Sequence, residues 1–159
     1  MKRGNTLLQV VNLQTRIGAV RAVDGISFSI ARDETFALLG ESGCGKSMTA
    51  LSLMRLLPEQ GRIIAGEVRL DGQDLLALPE AQMRDLRGGA IGMIFQEPMT
   101  SLNPVLSIGE QVGESLRRHR HLGGAALRAE SINLLNAVGL PDAARRISEY
   151  PFQLSGGMK

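Results

Sequence analysis

The sequence predicts an α/β fold with a parallel sheet, preceded by antiparallel strands and followed by a helical subdomain. Three observations lead to this prediction. Residues 35–39 (TFALL) form a continuous apolar run, which is typical of a strand buried on both faces. A glycine-rich stretch and a helical pattern follow that run directly. From about Ile108 onwards, apolar residues recur at helical spacing instead.

The N-terminal region is predicted to contain two strands, over residues 6–13 and 26–30. Both segments are rich in β-branched and apolar residues, and the second alternates cleanly. Asp24-Gly25 supplies turn chemistry between them. Residues 35–39 then form the predicted central parallel strand of the core.

A helix is predicted over residues 46–57, where Pro58 ends the pattern. Its apolar residues are spaced three and four apart, as one helical face requires: Ala50, Leu53, Met54 and Leu57. Residues 68–70 with Asp71-Gly72 indicate a hairpin. Residues 90–95 (AIGMIF) predict another buried strand.

The second half of the chain predicts two amphipathic helices separated by Gly123-Gly124, the second ending near Gly139. Their apolar positions are Ile108, Val112 and Leu116, then Leu127, Ile132, Leu135 and Val138. We therefore expect one domain over residues 1–159. It comprises a core over residues 1–96, a helical subdomain over 97–153 and a short motif over 154–158.

Composition and charge exclude several classes of protein. The 159 residues are 43% hydrophobic and carry 18 Lys and Arg against 16 Asp and Glu, so no nucleic-acid partner is expected. The densest basic stretch, residues 117–121, has no interleaved aromatics and is read as the solvated end of a helix. The single Cys44 argues against a disulfide framework. No apolar run is long enough to span a membrane, and no signal peptide is expected.

The chemistry is concentrated in one motif of the form G-x-x-x-x-G-K-[ST], which lies between the predicted buried strand and the predicted helix. Its residues are Gly40, Glu41, Ser42, Gly43, Cys44, Gly45, Lys46 and Ser47. The glycines let successive backbone N–H groups point inward at a helix N-terminus, which forms a nest for anions. Lys46 supplies positive charge for the β- and γ-phosphates, and the Ser47 hydroxyl is a candidate Mg²⁺ ligand. The motif predicts a site for a nucleoside triphosphate with its metal.

A phosphate loop alone is compatible with kinases, GTPases, motor proteins and transport ATPases. Two later runs discriminate among them: IFQEPMTSLNP over residues 94–104 and YPFQLSGGM over residues 150–158. Together with the phosphate loop, they resemble the ATP-binding cassette (ABC) family of transport ATPases. The run FQEPMTSLNP resembles the subgroup that energises bacterial uptake of di- and oligopeptides, glutathione, opines and nickel. A free-standing P-loop kinase explains neither run.

The resemblance implies roles for further residues. Gln96 corresponds to the switch-loop glutamine that contacts Mg²⁺ and the attacking water, so Lys46 and Gln96 are the implied catalytic residues and Ser47 and Gln96 the implied metal contacts. The family's signature motif corresponds to Leu154, Ser155, Gly156, Gly157 and Met158. That motif serves ATP held by another subunit. The residues agree with this role, since Ser155, Gly156 and Gly157 ahead of a helix start predict a second anion nest.

The resemblance also implies cofactors, partners and a location. ATP and Mg²⁺ are the expected cofactors, and a second ABC ATPase subunit is the expected partner in a head-to-tail dimer. The helical segment from Ile108 to Ser148 is expected to dock on transmembrane permease subunits, which link it indirectly to a solute-binding protein. The expected location is the cytoplasmic face of the bacterial inner membrane, as a peripheral subunit.

The family pattern continues with an apolar strand ending in Asp and Glu, and farther on a histidine, which this sequence lacks. Val68-Arg69-Leu70-Asp71 is read as the hairpin, not as that strand. Without the carboxylates the hydrolytic step lacks its water-positioning group, so the chain alone is expected to bind ATP without hydrolysing it. Two hypotheses follow: the N-terminal part of an importer ATPase, or a non-catalytic product of a truncated gene that retains nucleotide or permease binding.

Overall fold

A computed structural model describes residues 6–95 and 101–158. The chain divides into two compact units, the first ending at Arg84 and the second beginning at Asp85. Each unit has its own elements and its own apolar core, and each is described by itself.

The first unit contains a four-stranded antiparallel sheet in the order β2-β1-β3-β4. Its strands are β1 (Thr6–Ile17), β2 (Val20–Ala31), β3 (Gly61–Leu70) and β4 (Gln73–Asp74). The two predicted N-terminal strands are confirmed, and both are longer than the sequence pattern indicated. The predicted hairpin is also confirmed, because Leu70 pairs with Gln73 across Asp71-Gly72.

The turn between β1 and β2 is not where the sequence analysis put it. Gly18-Ala19 makes the turn, whereas Asp24-Gly25 lies inside β2. The pairing shifts there from Leu13 opposite Ile26 to Gln14 opposite Asp24. Gly25, with a φ of 79°, is therefore the extra residue of a β-bulge. A positive-φ glycine serves a turn and a bulge equally well, so the local sequence alone does not separate the two.

Helix α1 (Lys46–Leu53) belongs to the first unit, and α2 (Glu80–Leu86), which was not predicted, begins there and ends two residues past the boundary at Arg84. Helix α1 ends before the predicted Leu57, because Arg55 takes a left-handed conformation with a φ of 52°. The predicted apolar face of α1 is confirmed only at Met54, which is buried, whereas Ala50, Leu53 and Leu57 are half-buried. The buried residues within α1 itself are Thr49 and Ser52, whose hydroxyls donate to carbonyls one turn earlier and are thereby satisfied without water.

The two predicted parallel strands are not formed. Residues 35–39 have no regular structure, and residues 90–95 contribute one isolated parallel bridge, between Arg87 and Ile91. The side chain of Leu39 is 88% exposed and that of Ile94 is 92% exposed. A parallel strand needs neighbouring strands for its backbone hydrogen bonds. Among the described residues, the four strands pair only with one another, which leaves these two segments without such neighbours.

The second unit consists of helices α3 (Ile108–Arg120), α4 (Gly124–Ala137) and α5 (Ala143–Arg146), followed by short 3₁₀ turns at Pro151–Gln153 and Gly156–Met158. The two predicted amphipathic helices are confirmed as α3 and α4. Their apolar faces meet in a core with the following segment: Ile108, Leu135, Leu140, Ala143, Ile147 and Leu154. Val138, predicted to face this core, is 79% exposed because it caps α4 instead of continuing it.

Candidate functional site

The phosphate loop (residues 40–47) leads directly into α1. Gly45 is the N-cap of that helix and has a φ of 93°, and Gly43 has a φ of 82°. A Cβ atom on Gly45 would lie 2.3 Å from the carbonyl oxygen of Ala22 in β2. Only a glycine therefore fits between the start of α1 and the backbone of β2, which fixes the end of the loop against the sheet.

The ammonium group of Lys46 lies across the phosphate loop. Its Nζ donates hydrogen bonds to the carbonyl oxygens of Gly40 and Glu41, each at 2.7 Å. The Sγ atom of Cys44 is 3.5 Å from the same nitrogen. These contacts hold the charge of Lys46 at the loop instead of extending it into solvent.

The start of α1 carries an uncompensated positive end of the helix dipole. No side chain caps the helix at Gly45, and its first turn contains no acidic residue. The first N–H groups of a helix lack partners inside it, and the dipole adds roughly half a positive charge there. Together with Lys46, this end of α1 attracts an anion. The residues around it, from Glu41 to Cys44 and Ser47, are exposed and accessible to a ligand.

Cys44 packs over the first glycine of the loop. A Cβ atom on Gly40 would lie 2.4 Å from the Cys44 sulfur, so a side chain there would displace it. Cys44 is exposed and forms no disulfide. The cysteine therefore contributes to the shape of the loop and leaves the anion-binding end of α1 uncovered.

Ser47, the second residue of α1, offers a hydroxyl that could contact a metal at this loop. In the part of the chain that the structure describes, no group of three or more His, Cys, Asp or Glu side chains could hold a metal ion. Magnesium keeps much of its coordination in water and phosphate oxygens, so one hydroxyl beside a bound triphosphate fits its chemistry. Gln96, the other implied metal contact, lies outside the described residues.

The implied signature motif belongs to the second unit. Leu154 is buried in the apolar core of that unit, while Ser155, Gly156 and Gly157 are exposed. Residues 156–158 form a single 3₁₀ turn, and nothing is described of the Met158 side chain. Leu154 thus anchors the motif, while the serine and the two glycines of the motif are exposed. The role of this motif toward a second ATP stays a prediction.

Two contacts of the phosphate-loop region were not predicted from the sequence. One is the approach of Ala22 to Gly45, and the other is a buried hydrogen bond, in which Thr15 Oγ1 and Ser52 Oγ lie 2.8 Å apart. A signal for the second contact exists in the sequence, since Thr49 and Ser52 are three residues apart among the apolar residues of α1 and therefore share a face. Nothing local identifies Thr15 or Ala22 as their partners.

Comparison with known proteins relates the chain to one family. The family model described as "ABC transporter" matches residues 23–159. A dipeptide transport ATP-binding protein of Bacillus subtilis is 47% identical over 150 residues, which are 94% of this chain and 45% of that protein. A putative peptide import ATP-binding protein of Brucella abortus is 48% identical over 157 residues, covering 96% and 47%. The chain spans about half the length of the curated relatives it matches.

Solved structures give the same result for the fold. A dimeric, post-hydrolysis ATP-binding cassette bound to ADP and Pi superimposes with a TM-score of 0.78 at 26% identity, over 96% of this chain and 65% of that one. A second dimeric structure, of a bacterial ABC transporter cassette, gives a TM-score of 0.75 at 25% identity, with the same coverage. These likenesses confirm the predicted fold class.

Proposed function

The chain belongs to the ABC transporter family, and from this we propose that its phosphate loop binds the phosphates of Mg·ATP in a subunit that powers solute import. The observation that carries the proposal is the position of Lys46. Its ammonium group is held over the loop at the uncapped N-terminus of α1, with two hydrogen bonds of 2.7 Å. A lysine, a helix dipole and exposed loop residues at one point suit a polyphosphate.

Peptides or similar small solutes are the proposed cargo class. The proposal rests on the names of relatives 47% and 48% identical to this chain, which are described as dipeptide and peptide import ATP-binding proteins. No helix in residues 6–95 or 101–158 is both long and apolar enough to cross a bilayer. We propose that the transport path lies in separate permease subunits, on whose cytoplasmic side this chain docks through its helical segment.

A second cassette is the proposed partner at the ATP site. Both solved cassettes named above are dimers. In the proposed dimer, Ser155, Gly156 and Gly157 of one subunit approach the ATP held by the phosphate loop of the other. Their exposure leaves them free for this contact, while Leu154 holds the segment in its core. Gln96 is proposed to contact Mg²⁺ and the attacking water.

Nucleotide binding is tested by isothermal titration of the 159-residue chain with Mg·ATP, Mg·ADP and AMP. We expect ATP and ADP to bind and AMP to bind far more weakly, because AMP lacks the phosphates that Lys46 and the loop engage. Lys46→Ala removes a charged hydrogen-bond donor, which is worth about 1.5–3 kcal/mol and predicts an affinity loss of roughly tenfold to a hundredfold. Ser47→Ala should weaken binding in Mg²⁺ but have little effect in EDTA.

The matched control is Arg16→Ala, which also removes one positive charge from the first unit. Arg16 is exposed and donates only to the Gly18 carbonyl at 3.2 Å, so its loss should leave the affinity for Mg·ATP unchanged. Equal affinity of the Lys46→Ala variant and the unsubstituted chain would contradict the proposal. An equal loss of affinity in Arg16→Ala would show that Lys46 acts only through the net charge of the chain.

A further inference from the structure

We propose that the hydrogen bond between Thr15 and Ser52 is a positioning contact that holds α1, and with it the phosphate loop, in register with the antiparallel sheet. The Thr15 Oγ1 and Ser52 Oγ atoms are 2.8 Å apart, and both residues are fully buried. This inference rests on the proposed function for its consequence, namely that the pair supports the affinity for Mg·ATP. Its structural part is independent of nucleotide.

The direction of the hydrogen bond follows from the other contact of Ser52. Its hydroxyl donates to the Met48 carbonyl at 2.6 Å, which uses its single hydrogen. Thr15 is therefore the donor to Ser52. No buried side-chain N or O atom of the described residues lacks a partner. Because water does not reach this pair, the loss of one hydroxyl leaves the other with no hydrogen-bond partner in its place.

The pair matters for the phosphate loop because it is one of the contacts that join α1 to the sheet. At the N-terminus of α1, Gly45 lies against the carbonyl of Ala22. Seven residues later, about 10 Å along the helix axis, Ser52 accepts from Thr15. Thr15 is paired with Val23, the neighbour of Ala22, in the β1–β2 ladder. Both ends of α1 are thus attached to the same stretch of two adjacent strands.

Apolar packing alone does not provide this register. The buried residues within α1 are Thr49 and Ser52, and the apolar residues Ala50 and Leu53 are only half-buried; the buried apolar residue at this end is the C-cap, Met54. Apolar contacts are non-directional, whereas a buried hydrogen bond requires a defined distance and angle. Thr49 bonds back to Gly45 within its own helix, so Ser52 is the residue through which a hydroxyl of α1 reaches the sheet.

The test compares five variants of the 159-residue chain: four single substitutions and the double variant of Thr15→Val with Ser52→Ala. Thr15→Val keeps the shape and removes the donor, Thr15→Ser keeps the hydroxyl, and Ser52→Ala removes the acceptor. Val68→Ala is the control, since Val68 is fully buried in β3 and its truncation lowers stability without removing a polar contact to α1. Two properties are measured: amide hydrogen exchange over residues 49–54, whose N–H groups are bonded within α1 and its C-terminal cap, without denaturant, and the affinity for Mg·ATP.

In Thr15→Val and Ser52→Ala, we expect exchange at these amides to become about twofold to tenfold faster, and the affinity for Mg·ATP to fall by a similar factor. Thr15→Ser should restore both. The double variant should be no worse than either single one, because both remove the same bond. Val68→Ala should lower the urea midpoint while leaving exchange over residues 49–54 and the affinity unchanged.

The inference is overturned if Thr15→Val exchanges at these amides as the unsubstituted chain does. It is also overturned if Val68→Ala matches Thr15→Val in both measurements, since the pair would then act only through global stability. Absence of Mg·ATP binding by the unsubstituted chain contradicts the proposed function instead. In that case the exchange data still decide whether the pair positions α1.

Discussion

Substitution of alanine for the two left-handed glycines of the phosphate loop separates backbone strain from steric fit. Gly43 and Gly45 have nearly the same φ, 82° and 93°. Their surroundings differ: a Cβ on Gly43 has no atom within 4 Å, whereas a Cβ on Gly45 lies 2.3 Å from the Ala22 carbonyl oxygen. Gly43→Ala is therefore a matched control for Gly45→Ala.

The magnitudes follow from these two environments. Left-handed backbone costs an alanine about 1–2 kcal/mol, and the reduced freedom of the unfolded chain returns about 0.4–1 kcal/mol. Gly43→Ala should thus destabilise the chain by roughly 0.5–1 kcal/mol. Gly45→Ala carries the same strain and must also displace β2 or α1 by about an ångström to reach ordinary van der Waals contact, which adds about 1–3 kcal/mol. We expect a total of about 1.5–4 kcal/mol for Gly45→Ala.

Urea unfolding followed by far-ultraviolet circular dichroism measures the difference in stability. Titration with Mg·ATP at low temperature, where both variants remain folded, measures the effect on the loop. Gly45→Ala should lose affinity more than Gly43→Ala, because only the former moves the start of α1. Equal urea midpoints for the two variants would refute the reasoning, since they would show that the contact with Ala22 does not restrict the loop.

Three further predictions concern the second unit and turnover. The pKa of Glu110 is lowered below its ordinary value, chiefly because the Ser107 hydroxyl and then the Ser107 backbone N–H donate to its carboxylate, at 2.7 and 2.8 Å. Because the pKa of Glu110 is lower in the folded state, its carboxylate stabilises the fold at pH values above its unfolded-state pKa, and this stabilisation is lost as the pH falls through its folded-state pKa. Glu110→Gln should therefore reduce the dependence of the free energy of unfolding on pH in the acid range. An unchanged pH dependence would contradict this prediction. Leu154→Ala, in the apolar core, should cost about 2–4 kcal/mol in urea unfolding, and a cost under about 1 kcal/mol would mean that the residue is not an anchor. The 159-residue chain is expected to release phosphate from Mg·ATP no faster than Lys46→Ala, and turnover abolished by that substitution would show that the chain supplies its own water-positioning group.

The parts of the fold that were predictable are those in which a local pattern decides the structure. Helix α3 is predicted by its apolar spacing, and Ser107 with Glu110 forms the capping box that starts it. The phosphate loop is predicted because its glycines, lysine and serine each have a chemical role at a fixed spacing. In both cases the residues that interact are close together in the sequence.

The errors occur where distant residues decide. Whether Gly25 makes a turn or a bulge depends on its register with β1, which the sequence of β2 does not contain. Whether residues 35–39 become a strand depends on neighbours that supply backbone hydrogen bonds, and the described strands supply none. The buried face of α1 depends on Thr15, which is 37 residues away from Ser52.

The phosphate loop is positioned by contacts that the sequence does not predict. The sequence suggests a loop supported by the strand directly before it, yet residues 35–39 are irregular and Leu39 is exposed. The described contacts instead join the loop and α1 to β1 and β2, through Gly45 against Ala22 and through Ser52 with Thr15. The start of α1, where Lys46 lies, is thus attached to the antiparallel strands. Substitutions in β1 and β2 should therefore affect the phosphate loop more than equally conservative substitutions in residues 35–39.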